Sequence, residues 1–205
     1  MTQSPQLIVW DFDGVLNANM RGGHLSWAAT LKADLGLDTA SLSAHLNASG
    51  RLRDIMRGRR DLNDTVAAWL ATQGGSVTAE DLLSYWFQKA ALPDAEVLGW
   101  LQRHPARHVI GTNNETRRSA YIETQMGYAA LVEHVFSSGR MGVAKPDPGF
   151  FARIERWAAL PPSQILLVDD APENIAAARK RGWQAFLFSP DTRANLPERL
   201  GLTKE

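Results

Sequence analysis

The chain has 205 residues, 44% hydrophobic and 21% charged, with 22 basic residues against 22 acidic ones and a formal net charge of zero. That length allows one substantial domain, or one core with a smaller inserted module, and the charge balance excludes a global field that would gather nucleic acid or an anionic membrane surface. The absence of cysteine excludes disulfides, thiolate nucleophiles and cysteine-bound zinc.

The chain opens with "MTQSPQLIVW", which has no basic stretch followed by a long apolar one, so no signal peptide and a cytoplasmic location are expected. The apolar runs are strand-sized, short of the roughly 20 residues that span a bilayer. The first run, Leu7 to Phe12, ends in "DFDG", with Asp11 and Asp13 one residue apart and Gly14 after them. A side-chain period of two would put both carboxylates on one side of a continuing strand, where they repel unless a cation or a shared proton lies between them.

Residues 16 to about 95 carry no convincing strand. "LSWAATLKADLG", "LNDTVAAWLATQGG" and "TAEDLLSYWFQKA" read as helices, the last with Thr78 and Asp81 spaced as in a capping box. After this stretch, apolar β-branched runs recur at 108–112, 134–138, 165–170 and 184–188. Helical patterns separate them: "ETRRSAYIETQMG" closing on Gly127, "GFFARIERWAAL" before Pro161-Pro162, and "APENIAAARKRG" with Gly182 just past its end. Runs that are continuously apolar suit strands buried on both faces. The alternation predicts a Rossmann-like, doubly wound parallel α/β sheet made of residues 1–15 and 96–205, with an α-helical module, residues 16–95, inserted after the first strand. From Ser189 onward the pattern predicts a short helix and a frayed end.

In doubly wound sheets, sites gather beyond the carboxyl ends of the strands. Those ends deliver Asp11 and Asp13, then Thr112, Asn113 and Asn114, then Lys145 in "GVAKPDPGFF", then Asp169 and Asp170 with Asn174 beyond. Taken singly, these read as a turn, a helix N-cap, a loop lysine and a helix start; their joint occurrence in order, each at a strand end or helix start, makes them one constellation. Carboxylates without histidine or sulfur form a hard oxygen site that favours Mg²⁺ over zinc or copper. A hydroxyl and backbone N–H groups at 112–115 form an anion cradle, and Lys145 adds a positive point charge. Together they suit phosphoryl transfer, in which one carboxylate attacks and a second handles the proton.

Asp11-Phe12-Asp13-Gly14-Val15, Thr112-Asn113, Lys145-Pro146 and Asp169-Asp170…Asn174 resemble the four ordered motifs of the haloacid dehalogenase-like hydrolase superfamily, subfamily I with a helical cap. The resemblance covers nearly the whole chain. It implies Asp11 as nucleophile and magnesium ligand, Asp13 as general acid/base lending its backbone carbonyl to the metal, Thr112 and Asn113 as holders of the phosphoryl group, and Lys145 as stabiliser of the nucleophile and the phosphoaspartate. It further implies Asp169 as the direct acidic ligand, with Asp170 and Asn174 behind it, holding metal-bound water or orienting Lys145. The family's dehalogenases lack an acid/base Asp at the position of Asp13, which places this chain in the phosphatase branch; Thr112 stands where many relatives have serine. The implied activity is magnesium-dependent hydrolysis of a small phosphorylated metabolite.

"RLRDIMRGRR" at 51–60 sets five arginines against one aspartate and reads either as a solvated helix face or as a surface that meets an anionic substrate. Asn17, His24, Arg51, Arg57 and Arg59 are the candidate substrate contacts of the inserted module. The seven tryptophans fall mostly on apolar faces and read as core, and the five histidines show no ligand spacing. A phosphomutase, a silent phosphatase-like binding protein and a receiver domain are the rival readings. Intact acids at 11 and 13 disfavour the silent protein, and the insertion of about 80 residues disfavours the receiver fold.

Overall fold

The computed structural model describes residues 4–21 and 24–202, with side chains described outside 20–25. In chain order come β1 (Leu7–Trp10), β2 (Met20–Arg21), β3 (His24–Leu25), α1 (Leu31–Leu35), α2 (Thr39–Asn47), α3 (Arg51–Met56), α4 (Leu62–Leu70), α5 (Ala79–Lys89) and α6 (Ala95–Arg103). Then follow β4 (Arg107–Thr112), α7 (Thr116–Thr124), β5 (His134–Ser137), α8 (Ser138–Met141), α9 (Pro148–Ala158), β6 (Ile165–Asp169), α10 (Pro172–Lys180), β7 (Gln184–Leu187) and α11 (Leu196–Arg199).

Five strands form one parallel sheet in the order β5-β4-β1-β6-β7, with β1 in the centre; Val9 stands opposite Val109 on one side and Leu167 on the other. The pleat sends Ile8 and Trp10 into a layer with Val97, Trp100 and Ile122, and sends Leu7 and Val9 into a second layer with Phe150, Phe151 and Ile175. Burial on both faces is why the strand sequences carry no polar alternation. Gly111 lies where an added Cβ would come within 2.7 Å of Val9, so glycine lets β4 sit close against β1.

Residues 27 to 90 supply a third apolar cluster, built around Leu31, Leu42, Ile55, Val66, Trp69 and Leu82. Trp27 and Trp86 stack in it at 4.3 Å between ring centroids. Its helices start where side chains accept free N–H groups: Asp38 from Ser41, Asp61 from Asp64, and Thr78 from Asp81 in a reciprocal box with Asp81. The stretch expected as one helix from residue 25 is instead a 3-10 turn at Ser26–Ala29 followed by α1, which closes on left-handed Gly36.

The expectation of no strand between 16 and 95 is corrected by the antiparallel pair β2–β3, since two-residue strands are too short to show a period. Gly127 follows α7 but heads the next 3-10 turn, and the helix itself closes at Gln125. Gly182, by contrast, takes a left-handed conformation just past α10, as the sequence predicts. The tail forms the short α11, and residues 203–205 of the expected frayed end lie outside the described residues. No helix among the described residues is long and apolar enough to cross a membrane.

The module joins the sheet through two segments held side by side. Ala18 N–H donates to Leu92 O at 2.7 Å, and Asp94 N–H to Leu16 O at 2.9 Å. Fully buried Asn17 crosses between them, donating to Ala90 O and accepting from the Leu92 N–H. Asp94 also caps α6 and holds Arg193, whose guanidinium lies over Trp100 and Phe188. The Arg193 pair holds the Asp94 carboxyl below the usual carboxylate range.

On the Trp10 face of the sheet, Trp10 Nε1–H donates to His108 Nδ1 at 3.1 Å, and His108 Nε2 lies 2.9 Å from His104 O. An indole nitrogen only donates, so Nδ1 accepts and the proton sits on Nε2, donating to the carbonyl; this geometry needs the neutral ring. Burial holds His108 below the ordinary histidine pKa, against the smaller upward pulls of the His104 carbonyl and Glu133. The unfolded state therefore takes up a proton that the native ring resists. This contribution to stability is complete above about pH 6.5 and is lost as the pH falls below it. Chemical denaturation of wild type at pH 7.5 and 5.5, beside His108→Gln, should show a smaller acid loss in the variant; an equal loss would count against the neutral ring.

Candidate active site

The carboxyl ends of three neighbouring strands bring the predicted groups together. Asp11 leaves β1 with its N–H bonded to Val168 O, and Asp169 ends β6. Lys145 arrives from the loop before α9, and its ammonium lies 2.9 Å from Asp11 Oδ1 and 2.6 Å from Asp169 Oδ2. The Lys145 side chain is 1% exposed. Burial alone would pull its pKa down, but the two carboxylates outweigh it and hold the ammonium above the ordinary lysine value. Burial drives Asp11 well above the carboxylate range, against the pull of Lys145 and with Asp169 and Asp170 adding to it.

Asn113 clamps the lysine's backbone, donating to Lys145 O at 2.9 Å and accepting from Lys145 N–H at 2.8 Å. Its amide oxygen and one of its two amide N–H groups are thus engaged by Lys145, and the backbone N–H and the second amide N–H remain for the expected hold on a phosphoryl group. The Thr112 hydroxyl accepts from Asn114 Nδ2 at 2.8 Å, which leaves its own proton to donate. Asp13 is fixed from three directions: Oδ1 takes Asn17 and Asn19, and Oδ2 takes Asn114, all within 2.9 Å.

The two adjacent aspartates, of which Asp169 is expected as the direct metal ligand and Asp170 behind it, differ in their surroundings. Asp169 is fully buried, with Oδ2 on Lys145 and Oδ1 taking both Ala171 N–H and Asn174 Nδ2. Asp170 is exposed and takes no hydrogen bond from another described residue. The packed site around its base, which partly desolvates the carboxyl, and the charge of Asp169 next to it raise its pKa. Its Oδ2 approaches the first loop so closely that a Cβ on Gly14, at φ +87°, would lie 2.3 Å away. The glycine of "DFDG" therefore serves both a left-handed turn and the approach of a carboxylate.

Asp11, Asp169 and Asp170 offer oxygens that all lie within 4.8 Å of one another. Against three carboxylates stands one buried ammonium, so two negative charges remain uncompensated when all are ionised. A hard, all-oxygen set with excess negative charge fits a divalent cation of the magnesium or calcium type.

Beside Asp13 a cleft of about 120 Å³ opens under the helical module. Its module wall is apolar: Leu52, Ile55 and Met56 of α3, Leu62 of α4, and Trp86 and Phe87 of α5. Asn19, from the start of the module, and Asn113, Asn114, Glu115 and Arg118, from the sheet side, complete the lining with Asp13 and Ala90.

The expected module contacts whose side chains are described lie outside this lining. Arg51 donates to His45 O, Arg59 lies 4.0 Å from Asp54, Arg57 closes α3, and none of the three lines the cleft. On α3 the apolar residues at helical spacing take the inner face, which leaves the arginines to solvent and to backbone carbonyls. Asn17 is a structural clamp rather than a wall residue, and the side chain of His24 lies outside the described residues.

Residues that the motifs did not single out also build the site. Asn17 and Asn19, two apart, reach the same carboxylate, and that spacing in "NAN" was the one available signal. Arg118 had none: it is 4% exposed, donates to Phe87 O and Ala90 O, and lies 5.4 Å from the rings of Phe87 and Tyr121. Glu115 caps α7 by accepting the N–H groups of Arg117 and Arg118.

The fold and sequence have named counterparts. A phosphoglycolate phosphatase of Pseudomonas syringae pv. tomato is 26% identical over 87% of this chain and 67% of its own length. A predicted HAD-like family hydrolase from Porphyromonas gingivalis superposes with a TM-score of 0.78 over 99% of this chain and all of its own, at 18% identity. A HAD family enzyme from Bacteroides thetaiotaomicron, solved in complex with magnesium and inorganic phosphate, superposes with a TM-score of 0.75 over 90% of this chain and 94% of its own, at 16% identity. Residues 5–182 match the haloacid dehalogenase-like hydrolase family, and the chain belongs to it.

Proposed function

We propose that this protein is a magnesium-dependent phosphatase that hydrolyses a small phosphomonoester, a phosphorylated metabolite, through an aspartyl-phosphate on Asp11. The observation that carries this reading is the convergence of Asp11, Asp169 and Asp170 around buried Lys145, beside a cleft that reaches Asp13. The names of the Pseudomonas and Bacteroides relatives point the same way. A cytoplasmic setting belongs to the same proposal and rests on the sequence.

Magnesium, held by the carboxylates of Asp11 and Asp170 and the backbone carbonyl of Asp13, would screen the nucleophile from the incoming phosphate and counter charge on the phosphoryl oxygens. The Asp11 carboxylate attacks phosphorus, and the bond to the leaving oxygen breaks as Asp13 delivers a proton to it. In the second half Asp13 takes a proton from water, the water oxygen attacks phosphorus, and phosphate leaves with Asp11 restored. The Thr112 hydroxyl, the Asn113 N–H and the Lys145 ammonium donate to the phosphoryl oxygens as charge develops there.

Asp169 positions Lys145 and, with Asn174, keeps it facing Asp11. Asn17, Asn19 and Asn114 hold Asp13 at the mouth of the cleft. Residues 16–95 act as a cap that excludes bulk water from the reacting atoms and meets the leaving group.

Phosphate release from an aryl phosphate, measured with and without millimolar Mg²⁺, tests the reading. Asp11→Asn should lose at least about a thousandfold in rate with its fold intact; metal-indifferent release by wild type would overturn the mechanism. The two adjacent aspartates should separate by type of defect. Asp170→Asn should raise the Mg²⁺ concentration needed for half-maximal rate by tenfold or more, while stability moves within about 0.5 kcal/mol. Asp169→Asn should lower stability by about 3 kcal/mol, because it takes a partner from a buried ammonium. Equal stability of the two variants would sink this division of roles.

A further inference from the structure

We propose that the leaving group this site accepts is an uncharged alcohol with an apolar body, and that a carboxylate-bearing ester such as phosphoglycolate is excluded. The inference rests on the phosphatase reading and deepens it, because the leaving group of an ester attacked by Asp11 must lie in the cleft beside Asp13.

The wall facing that leaving group is made of Leu52, Ile55, Met56, Trp86 and Phe87. A second negative charge on the substrate would need a cation there. The cation in the lining, Arg118, is committed: it donates to Phe87 O at 3.0 Å and Ala90 O at 3.3 Å and lies against aromatic rings. Arginines 51, 53, 57 and 59 lie outside the lining.

The other polar atoms point the same way. Glu115 brings a carboxylate to the wall. Asn19 is 2% exposed and donates an amide N–H to Asp13, so its amide is tied to that carboxylate. A carboxylate buried on this wall would therefore lie against apolar side chains and the Glu115 carboxylate, beside a guanidinium that already donates to two backbone carbonyls. Apolar cavities of about 150 Å³ hold a benzene ring, so a space of about 120 Å³ suits a short alkyl chain or a single small ring.

The test is a matched series on the wild-type enzyme in Mg²⁺: phosphoglycolate, 2-hydroxyethyl phosphate, n-propyl phosphate, n-butyl phosphate and phenyl phosphate, read as kcat/KM from released phosphate. Phosphoglycolate should fall at least about a hundredfold below n-propyl phosphate, and each added methylene should raise kcat/KM roughly threefold to fourfold until the cleft is full. Phosphoglycolate turned over as well as the propyl ester would overturn the inference and leave the phosphatase reading standing. Absence of Mg²⁺-dependent, Asp11-dependent release from every ester would overturn both.

Met56→Lys, on the half-exposed inner face of α3, supplies the missing cation. It should narrow the gap between the propyl ester and phosphoglycolate by tenfold or more, and an unchanged ratio in a folded variant would count against the wall as the selector. Met56→Gln, neutral and of similar length, should lower the alkyl esters without raising phosphoglycolate; a rise in phosphoglycolate with this variant would likewise overturn the charge argument.

Discussion

A buried ammonium must be paired, and the site is organised around meeting that demand. Lys145 sits at 1% exposure between Asp11 and Asp169, so β1 and β6 have to end at the same level and the loop before α9 has to dip between them. Asn113, at the end of β4, then grips the lysine's backbone from both sides. One side chain thus ties three strand ends and a loop into a fixed arrangement. The cost of stranding any of these charges is what makes it rigid. Asp170 escapes that demand. Adjacent to Asp169 in sequence but turned the other way, it keeps a carboxylate free at the surface of the site, against the face that Gly14 leaves bare.

The helical module is joined to this frame by polar contacts, but it offers the cleft an apolar face. Asn17 shows how the two are reconciled. Its amide satisfies Ala90 O and Leu92 N–H where the chain leaves and re-enters the sheet domain, and the same amide holds Asp13. The connection that positions the module is therefore also the connection that positions the proposed proton donor. Arg118 does comparable work from the sheet side, capping the carbonyls at the end of α5 while its flat face packs on aromatic rings. With those two donors committed, the proposed selectivity of the cleft rests on shape and apolar area.

Several features are legible in the amino-acid sequence alone. The five strands of the main sheet announce themselves by apolar runs with no alternation, and the helices by caps and glycines such as Thr78 and Gly182. The order of Asp11, Thr112, Lys145 and Asp169 in the chain points to one site because three fall at strand ends and the lysine lies in the segment between the third strand of the main sheet and the next long helix. The module is less legible. Its β2–β3 pair is too short to carry a period, and its first helix is divided by a 3-10 turn. The arginine run at 51–60 draws attention by charge, whereas the residues of α3 that reach the cleft are its least conspicuous ones, Leu52, Ile55 and Met56.

By itself the sequence determined which chemical groups the strand ends present, because strand and helix periodicities are local and the motif residues sit at their boundaries. What only the tertiary structure decided was how neighbouring groups divide the work. Asp169 and Asp170 are indistinguishable as letters, yet one is sealed against Lys145 and the other faces outward, since successive residues at a strand end point in opposite directions and only one direction is filled by a lysine from 24 residues upstream. The same holds for the cleft wall. Whether an arginine or a leucine of one helix meets the substrate depends on which face packs toward the sheet, and that is settled by burial across the whole module rather than by any stretch of sequence within it.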